Sequence, residues 1–148
     1  MNITSYFTSP HQEALRFQLR ACEWGAAKFL MELLEKEQFH AVLGAGDLYF
    51  LMAGDQIAAF ATLTERDCVD APAMSPWCGF VYTFPAFRHQ RLAGKLLHQL
   101  AEIARRQGKP CVYIATDHQD VYEKYGCVYL ESRPDRNGGM NRIYRLDG

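Results

Sequence analysis

No stretch of this 148-residue chain approaches the ~18 consecutive apolar residues that a membrane-spanning helix needs. The first residues, Met1-Asn2-Ile3-Thr4, lack the basic start and apolar run of a signal peptide, so a cytoplasmic protein is the expectation. The five cysteines are an odd number, and no two stand in a Cys-x-x-Cys spacing. Neither a complete disulfide framework nor a zinc knuckle is therefore expected, and no metal site is indicated. Cys111 and Cys127 sit in apolar strand-like surroundings and read as buried thiols. Cys78 is a nucleophile only in principle, because no histidine is near it in sequence. The formal net charge is -1, which removes any whole-molecule attraction to nucleic acid or anionic lipid. Internal repeats, low-complexity tracts and linkers are absent as well. What remains is an apolar share of 49% and an aromatic share of 13%, enough for one domain, residues 1–148, with its own core.

Residues 3–7 read as a short first strand. Ser9-Pro10-His11-Gln12 reads as a helix start, with Ser9 as N-cap, Pro10 in the first turn and Gln12 completing a capping box. Ala14, Leu15, Leu19 and Cys22 recur at helical spacing. Gly25 separates this helix from a second, whose apolar stripe is Phe29, Leu30, Leu33 and Leu34. From Leu48 the period changes to that of strands: 48–53, a Gly54-Asp55 turn, then 56–64. A loop rich in Asp and Pro covers 67–76, and a strand follows over 77–84. A long amphipathic helix is expected over 91–107, with Leu92, Leu96, Leu100, Ile103 and Ala104 on its buried side and Gly108-Lys109-Pro110 as its stop. A buried strand at 111–115, a short helix at 119–125 ended by Gly126, and strands at 127–131 and 141–146 around a loop complete the chain.

The most informative segment joins the strand Gly79-Phe80-Val81-Tyr82-Thr83 to the long helix through Phe84-Pro85-Ala86-Phe87-Arg88-His89-Gln90-Arg91-Leu92-Ala93-Gly94-Lys95. A strand feeding a helix N-terminus through a basic, small-residue turn makes a place for an anion. The first helical N–H groups have no internal partner, and the helix dipole favours negative charge there.

This segment resembles the acetyl-CoA signature of the GNAT superfamily of N-acetyltransferases: a strand near a proline, Arg or Gln, two residues, Gly, one residue, Gly or Ala, then a leucine-rich helix. Arg88 fills the first position and Ala93 the last, whereas the middle glycine is Arg91. A second match is Asp120-Val121-Tyr122-Glu123-Lys124-Tyr125-Gly126-Cys127, similar to the family's aromatic-Tyr-x-Lys-x-Gly-Phe stretch, with Val121 and Cys127 as departures. The element order is also the family's. The resemblance implies a mixed, mostly antiparallel sheet with a central parallel pair and helices on both faces, acetyl-CoA as acetyl donor, and a primary amine as acceptor.

By position, the resemblance gives Tyr82, Thr83 and Phe84 the pantetheine arm and the thioester carbonyl. The main chain of His89, Gln90, Arg91, Leu92, Ala93 and Gly94 receives the pyrophosphate, Arg88 opens that cradle, Ala93 lets the backbone approach closely, and Lys95 belongs to the same cofactor site. Arg91 must turn outward or add a charge to a phosphate. Tyr122 is placed as the acid for the leaving thiolate, with an unperturbed pKa of ~10. Tyr125 reads as core packing.

The fourth strand carries no carboxylate between Trp77 and Phe84, so the base is open among Glu65, Asp67, His118 and a water chain. Trp24, Phe29, Trp77 and the loop 133–139 are candidates for the acceptor wall. The rival reading is a non-catalytic acyl-CoA sensor or partner-binding module, favoured by Arg91, Val121 and Cys127. Acetylation of aminoacyl-tRNA would need a local patch such as Arg133, Arg136 and Arg142. A homodimer through a sheet edge is common in the family.

Overall fold

The computed structural model describes residues 1–148. Seven strands form one sheet: β1 (Asn2–Ser5), β2 (Gly46–Ala53), β3 (Gln56–Thr64), β4 (Trp77–Thr83), β5 (Cys111–Thr116), β6 (Val128–Pro134) and β7 (Met140–Asp147). Their spatial order is β1-β2-β3-β4-β5-β7-β6, and every pairing is antiparallel except β4 with β5. The mixed, mostly antiparallel α/β architecture expected from the resemblance is thus the one observed. No helix is long and apolar enough to cross a membrane.

Helices cover both faces. On one lies α4 (Leu92–Arg106), whose Leu92, Leu96, Leu97 and Leu100 are buried against Ala59, Ala61 and Leu63 of β3 and Val112 and Ile114 of β5. Burying each leucine contributes roughly 1.5–3 kcal/mol, so this seam anchors the middle of the sheet. On the other face lie α1 (Gln12–Arg20), α2 (Gly25–Glu35) and α3 (Phe39–Leu43), packed through Leu19, Leu30, Leu33 and Phe39 onto Phe50, Ile57 and Phe60. Alternation along β3 explains the split: odd positions 59, 61 and 63 face α4, while Phe60 faces α1 and α2.

Three local expectations change. Ser9 does not cap α1. Its hydroxyl accepts the His11 N–H at 3.0 Å, Gln12 reaches back to the Tyr6 carbonyl at 3.1 Å, and the helix opens at Gln12, two residues later than the Pro10 signal implied. The segment before Gly126 is a 3₁₀ turn, Tyr122–Tyr125, rather than a helix from 119. The loop between the last two strands is short, because β6 runs on to Pro134 and β7 begins at Met140. Asp135 holds the turn by accepting from the Asn137 and Gly139 N–H groups and from the Asn141 amide, each at 2.9 Å.

Two irregularities shape the centre. Between Gly79, opposite Thr62, and Tyr82, opposite Phe60, β4 carries two residues where β3 carries one. Phe80 sits there at φ 51°. Such a bulge leaves its extra residue out of the ladder and bends the strand. The parallel partners β4 and β5 are in register at one position alone, Trp77 opposite Tyr113. Beyond it they diverge, and a cleft opens between them.

Candidate active site

The cleft is a cavity of about 400 Å³ lined by β4 (Cys78, Gly79, Phe80, Val81), by β5 and its exit (Ile114, Ala115, Thr116, Asp117, His118), and by Trp24, Asp67, Tyr122 and Asn141. Its size suits a small ligand group, and seven of its thirteen lining residues are apolar while the rest include Asp67, Asp117, His118 and Asn141. At its upper end the chain leaves β4 through a 3₁₀ turn, Pro85–Phe87, into α4.

That connection is basic and open. Arg88, His89, Gln90, Arg91 and Lys95 are all exposed, and residues 84–95 contain no carboxylate. The first α-helical bond runs from the Lys95 N–H to the Arg91 carbonyl at 3.2 Å, so the Leu92, Ala93 and Gly94 N–H groups have no helical acceptor. His89 (φ 66°) and Arg91 (φ 57°) are both left-handed, a conformation that Arg91 takes without a glycine's freedom. Backbone donors and flanking cations at this turn fit a pyrophosphate.

Two arginines in the segment have partners within the protein. Arg88 folds back on β4, donating from Nε to the Thr83 carbonyl at 3.0 Å and from Nη2 to the Tyr82 hydroxyl at 3.2 Å. Arg91 turns outward: its Nη2 donates to the Lys124 carbonyl at 2.9 Å, and its guanidinium lies 5.3 Å from the Tyr125 ring centroid. Phe84 gives its N–H to the Ala58 carbonyl at 2.9 Å. Gly94 is buried, and a Cβ there would run into the Tyr125 ring, which explains how that side chain packs so close to α4. His98 Nε2 completes the clamp at 2.6 Å from the Tyr125 carbonyl. The 3₁₀ turn that carries Tyr122 is therefore held at its end by Arg91, just before α4, and by Gly94 and His98 within it.

Tyr122 is half-buried against the α4-side core and lines the cleft, with its ring 5.9 Å from that of Tyr144. Burial, reinforced by the neighbouring Cys127 and Cys78 thiols, pushes its phenol above the ordinary value. Cys78 also lines the cleft but is almost wholly buried, and burial pushes its thiol up, which removes the thiolate a nucleophile needs.

The candidate bases separate cleanly. Glu65 lies outside the cleft, where its Oε1 accepts the Ala45 N–H at 3.2 Å. His118 lines the cleft but is largely in solvent, 3.6 Å from Asp117. Asp67 lines the cleft with its carboxyl raised above the usual carboxylate range, chiefly by burial, against the opposing pull of the Cys68 N–H and thiol and the Arg136 charge. Of the expected acceptor wall, Trp24 reaches the cleft and stacks on Tyr82 (centroids 5.3 Å, 13°), and Phe29 stacks on Phe80 at 6.3 Å with half its surface exposed. Trp77 does not contribute: it is buried at the far end of β4, with its indole N–H on the Met74 carbonyl.

The family model described as Acetyltransferase (GNAT) family matches residues 13–127, and the chain belongs to that family. No curated protein sequence matches it. Among solved structures, a Bacillus subtilis acetyltransferase in complex with CoA is 17% identical, with a TM-score of 0.65, and the match covers 99% of this chain and 98% of that one. A GNAT family acetyltransferase from Elizabethkingia anophelis with acetyl-CoA bound is 16% identical at TM-score 0.64, covering 99% and 97%. The aminoglycoside 6'-N-acetyltransferase from Enterococcus faecium is 14% identical at TM-score 0.68, with the same coverage. At these identities the likeness is one of fold.

Proposed function

We propose that this GNAT acetyltransferase, working as one domain over residues 1–148, transfers the acetyl group of acetyl-CoA to a primary amine by direct attack. The observation that carries the reading is that β4, which lines the cleft, runs on directly into the basic, donor-rich turn at the start of α4. Bound acetyl-CoA supplies an activated acetyl group as a thioester. The free N–H groups of Leu92, Ala93 and Gly94, with His89, Gln90 and Lys95 around them, receive the pyrophosphate. Arg88 braces the end of β4 through Tyr82 and Thr83, and Phe84 keeps its N–H on β3. Val81 and Phe80, out of register with β3, offer backbone groups toward the cleft. Tyr122, kept protonated by its burial, donates to the departing sulfur.

Arg91 fits this reading, because its side chain is directed at Lys124 and leaves the approach to the turn open. A non-catalytic acyl-CoA sensor is the second reading, favoured by the motif departures at Arg91, Val121 and Cys127.

Calorimetric titration with acetyl-CoA, with 3'-dephospho-CoA as control, tests the donor site. Saturable micromolar binding is the expected result, and absence of heat together with absence of thermal stabilisation would overturn the reading. Binding without thiol release across an amine panel would select the sensor.

A further inference from the structure

We propose that Asp67 receives the proton of the acceptor amine, and that this amine, carried on a compact apolar body, enters from the sheet face that bears α1 and α2. The proposal rests on the acetyl-transfer reading above and names the base and the acceptor class it needs.

Gly79 leaves free a space on β4 that any other residue would fill with a side chain. Its neighbour Cys78 belongs to the core under α4, so the missing Gly79 side chain would point to the opposite face. A Cβ there would collide with Asp67 Oδ1 and stand 3.1 Å from Thr62 Oγ1. The carboxylate of the β3–β4 loop therefore lies directly over the β4 backbone, in space that only a glycine leaves free. Thr62 shares that space, is fully buried, and its hydroxyl has no hydrogen-bond partner in the protein. A desolvated carboxylate is costly unless a donor completes it. Asp67 lines the cleft, so an ammonium group there, with three N–H donors, answers its carboxylate.

Position supports the role. Tyr122 packs on the α4 side and Asp67 on the α1–α2 side, and both line the same cleft. Acid and base thus flank the β4–β5 gap from opposite faces. On the Asp67 side the cleft is walled by Trp24 and Phe80, and the exposed Phe29 ring extends that wall outward. This is a surface for an apolar or aromatic amine body.

The proton count closes. Asp67 takes one proton from the bound ammonium and passes it to solvent. The neutral nitrogen forms the C–N bond, the C–S bond breaks, and Tyr122 protonates the sulfur. The nitrogen's second proton replaces the one Tyr122 gave. The titratable and charged groups near Asp67 are Cys68 on its own loop and Arg136 from the β6–β7 loop, with Cys78 and Tyr122 across the β4 backbone and Asp117 and His118 lining the same cleft beyond β5.

The test uses the full chain, acetyl-CoA and 2-phenylethylamine, following thiol release from pH 5 to 9. In wild type, kcat/KM should fall as pH drops through the raised Asp67 carboxyl. Asp67→Asn should abolish that limb and lower kcat about 100- to 1000-fold while acetyl-CoA affinity stays within twofold. Gly79→Ala, which displaces the carboxylate without removing it, should also lower kcat. Turnover of Asp67→Asn within threefold of wild type, with the acid limb intact, would overturn the proposal.

A second measurement is independent of turnover. Carboxyl ¹³C resonances of wild type and Asp67→Asn identify the Asp67 signal, whose midpoint should move down when 2-phenylethylammonium saturates the cleft. An unmoved midpoint sinks the proposal. Acetyl-CoA binding with no thiol release, beside a moved midpoint, would instead retire the acetyl-transfer reading and leave Asp67 as the amine's carboxylate partner.

Discussion

Arg91 Nη2 and the Lys124 carbonyl are joined at 2.9 Å, so the residue that opens α4 also holds the turn that carries Tyr122. A glycine at this position, as in the family's motif, would adopt the left-handed backbone without strain but could not reach Lys124. The chain has exchanged local ease for a tie between the two segments that carry the family's signatures.

This gives a paired prediction. Arg91→Ala loses the tie and keeps the left-handed strain, whereas Arg91→Gly loses the tie and relieves it. The glycine variant should be more stable than the alanine variant by about 1 kcal/mol in urea denaturation. Equal stabilities would show that position 91 relaxes out of the left-handed region.

Gly94→Ala presents the opposite conflict. Alanine raises helix propensity by about 1 kcal/mol, but its Cβ meets the Tyr125 ring, and overpacking costs about 1–3 kcal/mol. Packing should win, with Tm lowered by a few degrees in scanning calorimetry. A higher Tm would mean that the ring moves aside freely.

Tyr122→Phe should leave stability nearly unchanged, because the phenol is not bonded to another side chain, yet lower kcat about 100-fold. Burial raises the wild-type phenol, so it keeps its proton throughout the neutral range. The wild-type rate should therefore show no alkaline decline from this group below about pH 10. A decline near pH 8 that Tyr122→Phe abolishes would contradict that placement.

Asp67 should also leave a mark on stability. Its carboxyl is raised in the folded chain, so its contribution is fully present below the unfolded pKa of ~3.9 and is lost as pH rises through the folded value. Asp67→Asn should therefore melt higher than wild type at pH 7, and the gap should close near pH 4. A variant that melts lower at pH 7 would mean the carboxylate is favourably paired in the fold.

Much of this architecture is legible in the residues. The β2–β3 hairpin follows from its Gly54-Asp55 turn, and α4 departs by one residue at each end from the range its leucine spacing implies. The one-turn helix α3 is missed because five residues span too little of the period, although buried Phe39 and Leu43 stand four apart. The 3₁₀ turn at Pro85–Phe87 has no periodic signal to read. In the site, the sequence presents Glu65, Asp67 and His118 as equals. They separate only because the β3–β4 loop folds back over Gly79, and that depends on contacts such as the Arg136 N–H to the Cys68 carbonyl, between residues 68 positions apart. The destination of the Arg91 side chain is likewise set by a turn 33 residues away.

The single registered position between β4 and β5 has a mechanical consequence. The sheet is two half-sheets, β1–β4 and β5–β7, joined by Trp77 opposite Tyr113 and by the Tyr113 N–H on the Pro76 carbonyl. Leucines of α4 lie across both halves and act as a keystone. Parting the halves requires that helix to lift, so amide exchange along the inner edges of β4 and β5 would report undocking of α4 rather than fraying of strands.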